Sequence, residues 1–219
     1  MRIILHFTKL GPMRFVSHLD CQRLWQNMFR IAGIKVENTK GYNPHPRIRF
    51  ALPLATGFQS ENELLEVFLE QEADLKQVIS AINRIAPQGL KIAAATQVAM
   101  DFPKITAVVA ALEYRISFLN WPPDPGPFAT DALRGAEFLL SLEAEGDGLK
   151  MLAKVDNQKS LRPDALVKHL YPEIGLENFM VTRTGIFSQT NLRLNPLPAG
   201  LKMLDSYVST HVKILPKNN

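Results

Sequence analysis

The chain has 219 residues, 46% hydrophobic and 21% charged, a balance typical of a globular protein able to bury a core rather than of a disordered or fibrous one. No apolar run approaches the roughly 18 residues that read as a spanning helix, so the expectation is a soluble, cytoplasmic protein with no membrane partner. Cys21 is the only cysteine, which excludes an internal disulfide, a cysteine-based zinc site and a three-cysteine iron–sulfur site within this chain.

Taken in chain order, residues 2–9 alternate as a strand, interrupted by His6 and Lys9 in a way that does not suit a signal peptide. Apolar spacing of three and four predicts a helix over 19–32, strands follow at 47–53 and 63–70, then a helix at 74–86 and a strand at 90–98. That βαββαβ order predicts a ferredoxin-like unit, with two helices on one face of an antiparallel sheet and the other face open. Pro87, Gly89 and Pro103 punctuate its end, and residues 99–109 lack a period, so a domain boundary is expected there.

Beyond it, Leu112, Tyr114, Ile116 and Phe118 alternate with polar neighbours as a half-buried strand, before the proline-rich WPPDPGPF at 121–128. A hairpin of residues 137–145 and 149–155 across Gly146, Asp147 and Gly148, a helix at 163–170 and a strand at 179–187 complete a second α+β unit. The predicted class is therefore α+β, two ferredoxin-like units in tandem: a basic domain at 1–98, a second domain at 110–187 and a tail at 188–219. In that tail Leu201, Met203, Leu204, Tyr207 and Val208 suit docking on a domain or a partner.

Charge is concentrated at one end. Residues 1–50 carry nine Lys or Arg against Asp20 and Glu37, a net +7, leaving −3 for the remainder. Such localisation favours an anionic partner, RNA or a phosphorylated ligand, over an ordinary solvated face.

Two stretches concentrate polar specificity. In RFVSHLDCQRLWQNMFRIAG (14–33), Cys21, Leu24, Trp25, Met28, Phe29 and Ala32 form one helical stripe, while Asp20, Arg23, Asn27 and Arg30 share another face. Ser17 or Asp20 suits the helix cap, and His18 stands at the strand-to-helix junction near Arg14. In GYNPHPRIRFALPLATG (41–57), Pro44 and Pro46 hold His45 in a stiff extended segment beside Asn43, and Arg47 and Arg49 share one face of the following strand. The expected ligand- or RNA-binding set is Arg14, Ser17, His18, Asp20, Arg23, Arg30, Asn43, His45, Arg47 and Arg49. His18 and His45 are the candidates for acid–base chemistry, expected to meet at one edge of the sheet together with Arg14 and Asp20. A metal at His18, Asp20 and His45 would require the fold to bring them together; no cofactor is predicted.

The pair R-F-x-S-H-L-D-x-x-R and G-Y-N-P-H-P-R-I-x-F-A-x-P-L-x-x-G resembles the signature of an uncharacterised bacterial family encoded beside, or fused to, radical SAM enzymes. The likeness continues through LRPDALVKHL (161–170) and VTRTGIF (181–187), placing Arg162 and Arg183 on motif positions, and departs at DALRGAEF (131–138), where Gly135 replaces a proline after Arg134. The resemblance implies a radical SAM enzyme as partner, and a genomic setting of RNA-processing and ribosomal genes tilts the ligand toward RNA. Three functions compete: an accessory module that binds RNA or a phosphorylated ligand for a radical SAM or RNA-modifying enzyme, a metal-independent ribonuclease using His18 and His45, and a pure protein-interaction subunit.

Overall fold

The computed structural model describes residues 1–120, 137–188 and 199–203. The WPPDPGPF segment, Arg134, Gly135 and most of the expected tail lie outside the described residues. In the first half, β1 (Arg2–Lys9) leads through a 3₁₀ turn (Gly11–Phe15) to α1 (His18–Ile31), followed by β2 (Ile48–Phe50), β3 (Gln59–Phe68), α2 (Leu75–Ile85) and β4 (Leu90–Val98). In the second, α3 (Ile105–Val108) and β5 (Val109–Phe118) precede β6 (Leu139–Glu145), β7 (Gly148–Asp156), β8 (Lys159–Ser160), α4 (Pro163–Leu170), β9 (Phe179–Ser188) and β10 (Leu201–Met203).

Local chemistry sets the ends of α1. The Ser17 hydroxyl accepts from the Asp20 N–H at its start. At its end Gly33 adopts φ +70°, and the N–H groups of Gly33 and Ile34 return to the carbonyls of Arg30 and Phe29, a Schellman closure that glycine permits without Cβ strain.

Strands β4, β1, β3 and β2 lie side by side, each antiparallel to its neighbour. Strand β3 then runs on past the end of β2 and pairs in parallel with β9 at Gln59–Thr182 and Ser60–Arg183. From β9 the sheet continues antiparallel through β5, β7 and β6, with β10 parallel to β9. The result is one large mixed sheet of ten strands, with four helices among the described residues. The α+β class stands; two tandem units are not confirmed, because a single sheet passes through both halves. Pairing with β9 also explains why β3 begins at Gln59 rather than at the expected residue 63.

Alternation along β1 places Ile3, Leu5 and Phe7 against α1 and α2, where they meet Trp25, Met28, Phe29, Val78 and Ile82. The Phe7 and Trp25 rings meet edge-to-face at 4.9 Å, and truncating a fully buried aromatic of this kind costs about 3–5 kcal/mol. On the other face Ile4, Ala51, Leu52 and Leu64 pack with Phe102, Ile105, Val108 and the β5 side chains. The face expected to be open is thus covered by the segment after β4, since Ile4 and Leu64 present apolar surface there that water would not tolerate cheaply. No described helix is long and apolar enough to cross a membrane.

Candidate functional site

At the N-terminal end of α1, Ser17 and Asp20 are engaged with each other: besides accepting the Asp20 N–H, Ser17 donates to Asp20 Oδ2 at 2.7 Å. Asp20 also accepts from Arg23 at 3.2 Å in an exposed i,i+3 pair. His18 is half-buried, its ring edge-on to Phe50 at 5.1 Å. Burial pulls its pKa below the usual histidine value, the Lys9 cation adds to that, and Glu63 opposes it. Arg14 lies over the Phe15 ring at 4.6 Å and its Nη1 approaches Met180 Sδ at 3.4 Å. Buried beneath, Cys21 has its thiol pushed up to about 11 by burial, so it is protonated and inert at neutral pH.

The second motif sits elsewhere. Thr39 and His45 close a hairpin, with the Thr39 N–H donating to the His45 carbonyl at 2.8 Å and the His45 N–H to Thr39 Oγ1 at 3.1 Å. His45 Nδ1 lies 3.1 Å from that hydroxyl and 3.3 Å from the Asn43 carbonyl. Tyr42 at the hairpin tip is fully exposed. Pro46 lines a groove of about 430 Å³ together with Arg30, Gly33, Lys35 and Glu70, at the C-terminal end of α1.

His18 and His45 are therefore not neighbours. His18 opens α1 and Arg30, which shares the groove with Pro46, lies twelve residues later, about 18 Å along the axis at 1.5 Å per residue. The topology explains the separation. Strands β1 and β2 are each antiparallel to β3 and so parallel to each other, which puts the exit from β1 and the entry to β2 at opposite ends of the sheet. Arg30, Asn43, His45 and Arg47 gather at one end; Arg14, Ser17, His18, Asp20 and Arg23 gather at the other. Among the described residues no group of three or more His, Cys, Asp or Glu side chains is placed to hold a metal ion.

Much of the basic charge proves structural. Arg2 is buried, paired with the equally buried Glu66, and donates to the carbonyls of Met100, Phe102 and Pro103. Lys9 is buried and donates to the Val16 carbonyl at 2.8 Å. Arg49 pairs with the same Glu66, and Arg47 pairs with Glu37 while stacking on Phe68 at 3.6 Å. Arg30, Lys35 and Lys40 are exposed and, among the described residues, not ion-paired.

Sequence reasoning overlooked a third location, where the two halves meet. Arg183, on β9, is fully buried: Nη1 donates to Glu63 at 2.9 Å and to the Leu52 carbonyl at 3.3 Å, and Nη2 to the Pro53 carbonyl at 3.1 Å and Tyr114 Oη at 3.3 Å. It lines a cavity of about 280 Å³ with Leu52–Ala55, Phe58, Tyr114 and the Gln158–Pro163 segment. At the rim Arg162 clamps Asp164 through Nε and Nη2 at 3.0 and 2.7 Å. FALPLATG, LRPD and VTRTG, segments more than 100 residues apart at the extremes, thus converge on one seam. The signal available in the sequence was Arg183, a charged residue within the predicted strand at 179–187.

A protein-family model described as an uncharacterized protein conserved in bacteria (DUF2344) matches residues 2–163, well over half of the chain. The chain belongs to this family. No curated protein matches it. The DUF2344 match takes in both ends of α1, the 39–46 hairpin and the Gln158–Pro163 wall of the seam, and stops short of Arg183. Membership in DUF2344 carries no activity with it, and nothing in the match links this chain to radical SAM enzymes.

Proposed function

We propose that this DUF2344 protein is an accessory binding module whose hairpin and groove at the C-terminal end of α1 hold RNA, or another phosphorylated ligand, for a partner enzyme. The carrying observation is the fully exposed Tyr42 ring on the hairpin whose Pro46 lines a groove with Arg30 and Lys35, cations not ion-paired among the described residues. An exposed aromatic offers a face for a base, and exposed cations at the same end of the sheet suit the phosphates. His45 and Asn43 extend the polar edge, whereas Arg47 and Arg49 act chiefly through their carboxylate partners. In this reading residues 1–98 form a ferredoxin-like binding unit and the second α+β half, 110–187, supports it. The partner is a radical SAM or RNA-modifying enzyme, as the motif resemblance implies, and the setting is cytoplasmic.

The test is fluorescence anisotropy with a labelled 12-nucleotide single-stranded RNA over a salt series. Binding weakens steeply with salt, and Arg30→Ala or Lys35→Ala flattens the slope by about one unit or less. Tyr42→Ala costs about 1–3 kcal/mol, the usual worth of one stacked base. A folded protein that fails to bind at low salt overturns the proposal.

One observation favours a second reading, a pure interaction subunit. Phe15, Leu119, Leu176 and Met180 are exposed and line one groove of about 500 Å³ beside Arg14, more apolar surface than a solvated face needs. Loss of RNA binding with retained capture of a purified radical SAM partner selects that reading. The ribonuclease alternative draws no support from the site, because direct proton relay needs heavy atoms near 3 Å and the two histidines lie at opposite ends of α1.

A further inference from the structure

The seam cavity is left unused by the function proposed above, although its lining is chemically unusual. Its walls are largely apolar, from Leu52, Leu54, Phe58 and Leu161, with Gln158, Ser160, Arg162 and Arg183 among the polar lining. Each of those side chains can donate a hydrogen bond. Arg162 commits Nε and Nη2 to Asp164, Nη1 has no partner among the described residues, and its side chain is two-thirds exposed at the rim. The N–H groups in the first turn of the eight-residue α4, which begins at Pro163 on the cavity wall, have no acceptor within the helix.

Two further donors are orphaned. Arg183 is 2% exposed, and its Nε has no hydrogen-bond partner among the described residues although both terminal nitrogens are satisfied. Ser160 Oγ is likewise enclosed and unpartnered. Leaving such groups unpaired is costly, and an acceptor that reaches them from the cavity removes that cost. An apolar chamber with a few polar groups in its lining is the usual form of a small-molecule site, and such sites favour the junction between two structural halves.

We propose that the seam cavity binds a small amphipathic anion, its carboxylate or phosphate head at the Arg162, Ser160 and Arg183 end and its apolar body against Leu52, Leu54 and Phe58. A head group that only accepts hydrogen bonds matches Arg162 Nη1 and Arg183 Nε, which can only donate, and Ser160 Oγ, which can donate as well as accept. A cation is disfavoured by Arg162, and a purely apolar ligand leaves the orphaned donors as they are. This site is separate from the hairpin groove and stands or falls independently of RNA binding.

The experiment is a saturation-transfer NMR titration of the full chain with phenyl phosphate, phenylacetate and the neutral benzyl alcohol. Ligands of this size bind with dissociation constants on the order of 1 mM. The expected result is at least fivefold tighter binding of one or both anions than of the alcohol, the stronger anion identifying the head group. Arg162→Ala, a surface change whose fold is verified by melting, removes that preference and leaves alcohol binding unchanged. Arg30→Ala, in the hairpin groove, leaves anion binding intact. Leu54→Trp fills the chamber and abolishes all three signals; if that variant does not fold, Ser160→Ala, with a two- to threefold loss of anion affinity, takes its place. Equal binding of anions and alcohol, no transfer to the wild type, or a loss caused by Arg30→Ala and not by Arg162→Ala overturns the proposal.

Discussion

Arg183 Nη1 lies 2.9 Å from Glu63 Oε1, with the two side chains only 2% and 4% exposed, so that one buried ion pair ties β9 to β3. It stands beside the two residue pairs, Gln59–Thr182 and Ser60–Arg183, through which the halves share a sheet. Breaking a buried pair leaves the survivor's charge without compensation. Arg183→Met is expected to cost about 3–5 kcal/mol in urea unfolding, and Glu63→Leu a similar amount. The double variant recovers more than half of the summed loss. Strict additivity in that cycle would show that the pair is not what couples the halves.

Ser17 is a helix cap before it is a ligand residue. Ser17→Ala is predicted to lower unfolding free energy by about 1 kcal/mol, and Ser17→Asp to restore most of it. RNA affinity stays within twofold in both, because Ser17 lies at the far end of α1 from the Arg30 groove. A larger loss of affinity than of stability would return Ser17 to the binding site.

Acid destabilises through two histidines. Burial holds the pKa of His6 and of His18 below the ordinary value, so both are neutral in the fold and are protonated more readily once unfolded. Their contribution is therefore fully present above the unfolded pKa of about 6.5 and is lost as pH falls from there through the depressed folded values. Unfolding free energies measured from pH 7.5 to 5 should fall in the wild type, and less steeply in His18→Asn or His6→Gln. Identical slopes in wild type and variants would assign the acid sensitivity to other groups.

The two-residue turn between β7 and β8 carries Asn157 at φ 47° and Gln158 at φ 64°. Both angles belong to a type I′ hairpin, which suits asparagine at the first position and glycine at the second. A left-handed glutamine costs about 1–2 kcal/mol, partly offset by the greater entropy glycine loses on folding. Gln158→Gly should therefore stabilise by about 0.5–1 kcal/mol, and a β-branched Gln158→Val should destabilise by more than that. Thermal melting of the two variants decides it; a destabilising glycine would mean that the glutamine side chain makes a compensating contact at the cavity wall.

Periodicity within a few residues determines most elements of this protein. The alternation of residues 2–9, the caps and stripe of α1, the hairpin across Gly146, the helix at 163–170 and the strand from Phe179 are all present as expected. Their information is local, since a strand or helix is specified by which side chains share one face. What joins them is not local. The meeting of Ser60 with Arg183, the covering of Ile4 and Leu64 by the segment after β4, and the parallel run of β1 and β2 that parts His18 from His45 depend on contacts across the whole chain. Charge shows the same division. Nine cations are countable in the first fifty residues, but whether each faces solvent is a matter of burial. Only the tertiary structure could reveal that Arg2 and Lys9 are enclosed, that Arg47 pairs with Glu37 while Arg49 shares Glu66 with Arg2, and that Arg30 and Lys35 remain exposed. The physical reason is that a charge's influence is set by its partners and its solvent, and both are supplied by residues far away in sequence.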